Sequence, residues 1–274
     1  WETHFFDLSA PYPTDTASTE HPLQPRYTAG NDLAYLVATS GSTGVPKVVE
    51  IEQASAVNAV CSLIETYGMT PEDRRLRSVS RPGADVFIAE LLVPLCSGAT
   101  LVEAIGDRPL APAQFFELLD RERITIAGAA SSYLAELVDS RADNGVVPAP
   151  VTLRMMTTGT EAVDPNMVAS WQRAFGAAIT LLNVYGPAEA TLVTTTCRLS
   201  ELAVPIVGPV PIGLPFPNTR VMLLDRAGHP VPRGAVGEIC VAGPGVMRGY
   251  RGTESPALVA AEQARSRDRY YRTG

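Results

Sequence analysis

Lysine is nearly absent from this sequence: of its 22 basic residues, 21 are arginine and Lys47 is the one lysine. Any chemistry that needs a primary ammonium at a defined place therefore has a single candidate. Histidine is scarce too, and His4, His21 and His229 stand in loop-like stretches without partner spacing, so none is given a catalytic or metal-binding role. The four cysteines, Cys61, Cys96, Cys197 and Cys240, lie far apart with no C-x-x-C spacing. That excludes a zinc ribbon and a disulfide scaffold, and they read as reduced, mostly buried thiols. No run of 18 apolar residues occurs, and the opening Trp1-Glu2-Thr3-His4 lacks the charged-then-apolar pattern of a secretory leader. A cytoplasmic location is the expectation. Basic charge is in deficit, 22 against 29 acidic residues for a net charge of −7, which leaves no footprint for nucleic acid or an anionic membrane; neither is expected as a partner.

What is present is an ordinary globular composition, 46% hydrophobic over 274 residues, long enough to bury a sizeable core. Residues 1–32, rich in Pro, Thr, Ser and Asp, read as an irregular lead-in. From Leu33 to about residue 204 short β-prone runs alternate with helical patterns. The strands are Leu33 to Val37, Thr100 to Val102, Ile124 to Ile126, Leu153 to Met156 and Ile179 to Val184. The helices are a stripe of Ala54, Val57, Val60, Cys61 and Ile64 ending near Gly68, then Ala84 to Leu95, Phe115 to Arg121 and Pro165 to Phe175. Such alternation predicts an α/β fold with mainly parallel sheets flanked by helices. Residues 205–274 turn to Pro- and Gly-rich punctuation without helices, predicting a smaller antiparallel β subdomain with a hairpin turn at Asp225-Arg226-Ala227-Gly228.

The segment with the most chemical content is Thr39-Ser40-Gly41-Ser42-Thr43-Gly44-Val45-Pro46-Lys47, directly after the first strand. Glycines let backbone N–H groups approach phosphate oxygens, the hydroxyls add donors, and Lys47 supplies a point charge. A Walker loop, G-x-x-x-x-G-K-S/T, needs glycine before the lysine and a hydroxyl after it; here Pro46 precedes and Val48 follows. The segment instead resembles the T-S-G-S/T-T-G-x-P-K phosphate loop of adenylate-forming enzymes. Asn183-Val184-Tyr185-Gly186-Pro187-Ala188-Glu189 resembles the N-x-Y-G-P-T-E motif of that family, and Leu153 to Glu161 its L-R-x-x-x-x-G-G-E strand end. Ile212-Gly213-Leu214-Pro215, Gly237-Glu238-Ile239-Cys240, Gly243 to Tyr250 and Tyr271-Arg272-Thr273-Gly274 continue the match in order. The wording is most similar to the adenylation domains of non-ribosomal peptide synthetases, from about Leu33 to Gly274.

The resemblance implies the large N-terminal part of the adenylate-forming fold, with ATP and Mg²⁺ as cofactors. Thr39, Ser40, Gly41, Ser42, Thr43, Gly44 and Lys47 would bind phosphates. Gly159, Thr160 and Glu161 would line the adenine site, Tyr185 would pack against the nucleoside, Asn183, Gly186 and Ala188 would be nucleotide-binding too, and Glu189 would hold the metal. Lys47 and Glu189 are the catalytic candidates. The reaction implied is attack of a substrate carboxylate on the α-phosphate, expelling pyrophosphate and giving an aminoacyl-AMP, then transfer to the phosphopantetheine thiol of a carrier-protein domain. Asp85, in a segment similar to F-D-x-S-x-x-E, would pair with the substrate α-amino group. A side-chain pocket of Val86, Ala89, Gly128, Met156, Thr158, Val184, Leu192 and Val193 would then suit a neutral amino acid, apolar or aromatic. An MbtH-like activator is a further partner that the resemblance suggests.

Departures stand beside the match. Val48 replaces the glycine that follows the loop lysine, Ala84 the aromatic residue before the pocket aspartate, and Ala188 the threonine before Glu189. The sequence ends before the ribose-binding aspartate and the C-terminal lysine of the family, so it reads as a core portion of a larger enzyme. Two other readings stay open: a stand-alone acyl- or aryl-acid ligase, which Asp85 disfavours, and a non-catalytic module that binds a partner. Residue by residue, Asp85 could be a helix N-cap, Tyr185 plain core, and Met156, Val184, Leu192 and Val193 ordinary core.

Overall fold

In the computed structural model, residues 28–39, 46–77, 83–104, 109–143, 150–252, 254–255, 257–260 and 269–274 are described. Most of the expected lead-in, residues 1–27, lies outside them, as do Ser40, Gly41, Ser42, Thr43 and Gly44 of the expected phosphate loop. The chain begins with an antiparallel hairpin, β1 (Leu33–Thr39) and β2 (Lys47–Glu52). Helices and strands then alternate: α1 (Gln53–Tyr67), β3 (Arg74–Arg77), α2 (Asp85–Ser97), β4 (Thr100–Glu103), α3 (Pro112–Arg121), β5 (Ile126–Gly128), α4 (Ser131–Asp143), β6 (Met155–Gly159), α5 (Pro165–Phe175) and β7 (Thr180–Tyr185). The remainder is strand and 3-10 turn: β8 (Thr195–Arg198), β9 (Leu214–Pro215), β10 (Arg220–Leu224), β11 (Glu238–Ala242), β12 (Gly249–Tyr250), β13 (Leu258–Ala260) and β14 (Arg269–Arg272).

Seven strands form the main sheet in the order β4-β3-β5-β6-β7-β8-β9, the first five parallel and the last two antiparallel. Side chains alternate across it as a period of two requires. Ile126, Met155 and Leu182 pack with Ala59, Val60 and Leu63 of α1 and Val93 of α2. Their strand neighbours Ala127, Met156 and Leu181 pack on the opposite face with Phe115, Leu119, Leu134, Leu137 and Trp171 of α3, α4 and α5. The result is a helix–sheet–helix sandwich, in which each fully buried leucine-sized side chain contributes about 2 kcal/mol. Three antiparallel strands, β1-β2-β12, and four more, β10-β11-β14-β13, make two smaller sheets. The α/β class with a smaller antiparallel part is therefore as expected.

Local signals set several boundaries. Asp164 accepts a hydrogen bond from the Asn166 N–H and Pro165 occupies the first turn, which starts α5. Gly68, in the left-handed conformation at φ 53°, stops α1. Other expectations need correction. The periodic stripe of α1 is its buried face only in part: Val60 is buried and Ile64 packs against the same core, but Val57 is 58% exposed and Ala54 and Cys61 are exposed, while Ser55, Ala56, Ala59, Leu63 and Tyr67 are buried. Cys61 and Cys96 are both exposed free thiols, so the cysteines are not mostly buried. After the glycine loop the chain returns as β2, antiparallel to β1, before α1 begins. At Asp225, the Gly228 N–H closes a turn onto the Asp225 carbonyl and the Asp225 side chain accepts from the Ala227 and His229 N–H groups. That turn closes a single bridge, Leu224 to Pro230, before β11 begins at Glu238.

A buried carboxylate ties the amino ends of the parallel strands together. Asp73 accepts from Arg154 Nε at 2.9 Å and Nη2 at 2.7 Å, from Thr125 Oγ1 at 2.7 Å and from the Thr70 N–H at 2.8 Å. Arg154 also donates to the carbonyls of Tyr67 and Gly68 at the end of α1. Burial works to raise the Asp73 pKa, but the hydrogen bonds from Arg154, Thr125 and Thr70 outweigh it and lower it from 3.8 to about 2. A depressed folded-state pKa contributes stability above the unfolded value, and that stability is lost as pH falls toward the folded value. Asp73→Asn is thus expected to cost about 2–3 kcal/mol at neutral pH. The deficit should shrink as pH drops from about 4 toward 2, the window those two pKa values define. Urea unfolding of both proteins across that range measures it; a deficit independent of pH would remove the carboxylate as its source.

Candidate active site

The two expected catalytic residues, Lys47 and Glu189, come from different parts of the fold and meet on one tyrosine. Lys47 opens β2 opposite Thr39, whose hydroxyl donates to the Lys47 carbonyl at 3.5 Å, so the pair closes the base of the loop. β12 pairs with β2 so that Tyr250 stands opposite Val49, two residues along the same face from Lys47. The Lys47 ammonium consequently lies over the Tyr250 ring, 4.9 Å from its centroid. Tyr250 Oη donates a buried hydrogen bond of 2.7 Å to Glu189 Oε1. Burial first, then this hydrogen bond, raises the Tyr250 pKa. Tyr271 adjoins the same carboxylate and is raised by burial and by the charge of Glu189.

Glu189 is buried on a single 3-10 turn, Ala188–Ala190, that is firmly held. Its carbonyl accepts from the Met247 N–H at 2.8 Å. Thr191 and Leu192, just after it, have φ of 56° and 71°, a left-handed conformation unfavourable for a β-branched or bulky residue. Thr191 is pinned by a 2.6 Å hydrogen bond from its hydroxyl to the Gly245 carbonyl.

Asp85 is the first residue of α2, not its N-cap: that position is Ala84, which makes no side-chain cap. Asp85 Oδ1 accepts from the Val86 N–H at 2.8 Å. Burial pushes the Asp85 carboxyl above its ordinary range, the backbone hydrogen bonds oppose it, and the charge of Glu189 adds to it. The Tyr35 phenol is raised by burial and by the charge of Asp85, and its hydroxyl finds no hydrogen-bond partner among the described residues. Two carboxylates and a buried unpaired hydroxyl thus share one neighbourhood, an environment that favours an incoming cation.

Of the expected pocket residues, Ala89, Val184, Leu192 and Val193 belong to one apolar group on the α1–α2 face. Met156 packs on the opposite face, with α3, α4 and α5. Thr158 is buried with its hydroxyl 3.2 Å from Ser131 Oγ at the start of α4. Val86 is exposed, and Gly128 is buried where a Cβ would come within 2.9 Å of Thr157 Oγ1 and 3.6 Å of Glu90 Oε1.

The residues expected at the nucleotide base sit where β6 and β7 end. Gly159 is required by contact: a Cβ there would lie 2.2 Å from the Val184 carbonyl oxygen. At Gly186 it would lie 2.7 Å from that of Leu192. Thr160 occupies the second glycine position of the motif at φ 68°, its hydroxyl donating to the Gly159 carbonyl at 2.5 Å. Glu161 is exposed and accepts from the Ser132 N–H at the start of α4, a hydrogen bond that lowers its pKa. Asn183 is buried and donates to the Pro211 carbonyl at 3.4 Å, Tyr185 is half-buried, and Ala188, also half-buried, packs against the core of the hairpin sheet.

No group of three or more His, Cys, Asp or Glu side chains that could hold a metal occurs among the described residues. A single buried carboxylate fits Mg²⁺ nonetheless, because that ion commonly takes one or two protein carboxylates and completes its shell with substrate phosphates and water. A cavity of about 470 Å³ between β4 and α3, lined by Val102, Glu103, Leu110 and Gln114 among others, contains none of these residues. The residues that sequence reasoning left without a role are Tyr35, Tyr250 and Tyr271. Tyr250 and Tyr271 lie in recognised segments, but their 61- and 82-residue separations from Glu189 hide the contact.

No helix among the described residues is long and apolar enough to cross a membrane. Comparison with known proteins gives a consistent picture. The family model for AMP-binding enzymes matches residues 3–251. Tyrocidine synthase 3 of Brevibacillus parabrevis is 32% identical over 259 residues, 92% of this chain and 4% of the relative. The solved non-ribosomal peptide synthetase FmoA3 is 26% identical with a TM-score of 0.81, over 93% of this chain and 26% of that one. Holo-PA1221, a solved synthetase protein containing adenylation and PCP domains, is 26% identical with a TM-score of 0.77, over 97% and 47%. The chain spans no more than 16% of the curated relatives it matches first. By sequence and by fold, then, it belongs to the AMP-binding enzyme family, and within that family it is similar to the adenylation domains of non-ribosomal peptide synthetases.

Proposed function

We propose that this chain forms the core of a domain that activates an amino acid as its aminoacyl-AMP and passes it to a carrier-protein thiol. The observation that carries the reading is the meeting of Lys47 and Glu189 on Tyr250, the ammonium over the ring and the phenol on the carboxylate, with the charge of Glu189 felt at Asp85. Lys47, seated on a ring face, keeps its three N–H donors for an anion, and the hairpin loop it closes would deliver the phosphates. Glu189 would hold Mg²⁺, which when bound supplies charge stabilisation to phosphate oxygens during an in-line displacement. Asp85, half-buried and under the electrostatic influence of Glu189, would receive the α-ammonium and so hold the substrate carboxylate toward the α-phosphate. An acyl or aryl acid without an amino group offers nothing to offset the partial desolvation of that carboxylate, which favours an amino acid over the ligase alternative.

The apolar group of Ala89, Val184, Leu192 and Val193 supports a neutral side chain. The adenylation and PCP domains of holo-PA1221 support a carrier domain bearing phosphopantetheine as the acceptor. Action in the cytoplasm, and an MbtH-like activator as a second partner, complete the proposal.

ATP–pyrophosphate exchange on the parent protein, run across amino acids, aryl acids and fatty acids, tests it. One amino acid, neutral in its side chain, should drive exchange, and Lys47→Ala should reduce it about 10²–10³-fold, the scale of losing a charge-stabilising donor. Absence of exchange with every acid would leave the partner-binding module. Asp85→Asn tests the ammonium contact separately: KM for the amino acid should rise roughly 10–100-fold while KM for ATP stays within about twofold, since a hydrogen bond to a charged group contributes about 1.5–3 kcal/mol. Equal effects on both KM values would place Asp85 in the frame of the site and not on the substrate.

A further inference from the structure

Tyr250 has no role in the family resemblance, yet among the described residues it is the side chain that touches both Lys47 and Glu189. Its position is fixed by four independent restraints. β12 pairs it with Val49 of β2. Its N–H donates to Ser255 Oγ at 2.9 Å. Its ring packs with Val49, Ile51, Met247 and Tyr271 in the core of the hairpin sheet. Its hydroxyl is buried against Glu189. A side chain so constrained transmits position: where its ring stands decides where the ammonium rests, and where its hydroxyl stands decides how the carboxylate is turned.

We infer that Tyr250 is a positioning residue with two separable handles, its hydroxyl orienting Glu189 for a divalent metal and its ring seating Lys47 for the phosphates. This rests on the proposed Mg-ATP reading of the same site. The reasoning is geometric. An unrestrained glutamate samples several rotamers, and a ligand carboxylate needs an outer partner to hold one of them; loss of such a partner typically weakens metal binding about 10–100-fold. The 2.7 Å buried hydrogen bond from the Tyr250 hydroxyl is that partner. The ring contributes separately, because a lysine ammonium over an aromatic face is held without surrendering its donors.

The two handles come apart in two variants. Tyr250→Phe keeps the ring and removes the hydroxyl; Tyr250→Leu removes both. Mn²⁺ binding to the parent protein, followed by electron paramagnetic resonance in the presence of a non-hydrolysable ATP analogue, reads the first handle. Metal-free binding of the same analogue, followed by calorimetry in EDTA, reads the second. Tyr250→Phe should weaken Mn²⁺ about tenfold or more and leave metal-free nucleotide affinity within about twofold. Tyr250→Leu should weaken both. Thermal unfolding midpoints of the two variants show whether each is folded under assay conditions. A folded Tyr250→Phe that binds Mn²⁺ as tightly as the unsubstituted protein overturns the hydroxyl's role. A Tyr250→Leu whose metal-free affinity is unchanged overturns the ring's. An unsubstituted protein with no nucleotide-dependent Mn²⁺ signal overturns the Mg-ATP reading itself, and with it this inference.

Discussion

The Asp73 carboxylate, sharing hydrogen bonds with Arg154, Thr125 and Thr70, holds β3, β5 and β6 at their amino ends. Much of the chemical content stands at the opposite ends of those strands and their neighbour: Gly128 closes β5, Gly159 β6 and Tyr185 β7. In an open parallel sheet the crevice for a ligand forms beyond the carboxyl ends, where successive loops diverge. The register that begins with Ile126 opposite Met155 and Met155 opposite Thr180 runs on to Gly159 opposite Val184. A slip of one residue would exchange the two faces of a strand. Val184 would leave the apolar group on the α1–α2 face, and the close approach that only glycine allows at 159 would be lost. The clamp is thus distant from the site and yet a condition of it.

Strain is concentrated at the other end of this arrangement. Thr160, Thr191 and Leu192 are non-glycine residues in the left-handed region, each costing about 1–2 kcal/mol relative to a relaxed backbone. Such conformations persist where the surroundings over-determine them. At Thr191 those surroundings are explicit, a hydroxyl bonded to Gly245 and the Met247 N–H on the carbonyl of Glu189. The segment that carries Glu189 is therefore tied to the same stretch, residues 245–250, that delivers Tyr250. Placing the carboxylate and placing its phenol partner are one structural event.

The sequence was legible where a local rule sufficed. α5 begins at Asp164-Pro165 and α1 ends at Gly68 because capping chemistry is local. Arg74 to Arg77 carries no β signal, and it becomes β3 because parallel neighbours pair with it on both sides, with Glu103 and Glu122 offsetting Arg77 and Arg74. The α1 stripe held only in part for a related reason: Val57 and Cys61 satisfy helical periodicity as well as Ala59 and Leu63 do, and only the sheet decides which face is inside. For the site, motifs named Lys47, Asp85 and Glu189 individually. The junction of Lys47 and Glu189 through Tyr250 depends on pairing β12 with β2 across the greater part of the chain, which no window along the sequence can see.

The charge balance of the junction suggests how its ligands would act on one another. Glu189 is buried and Asp85 half-buried, and the charge of Glu189 raises the cost of ionising both Asp85 and Tyr271. Against them stands Lys47, resting on a neutral ring. A polyphosphate entering alone would meet this acidic pair with the lysine in its favour and the carboxylates against it. A divalent metal at Glu189 and an ammonium at Asp85 would each offset one of the two charges, and whichever arrived first would lower the electrostatic cost for the phosphates. Coupling of that kind is reciprocal by thermodynamic necessity. On the proposed reading the carboxylates would then do more than hold ligands in place: by leaving the site short of positive charge, they would make occupancy of the metal, nucleotide and amino-acid positions mutually dependent.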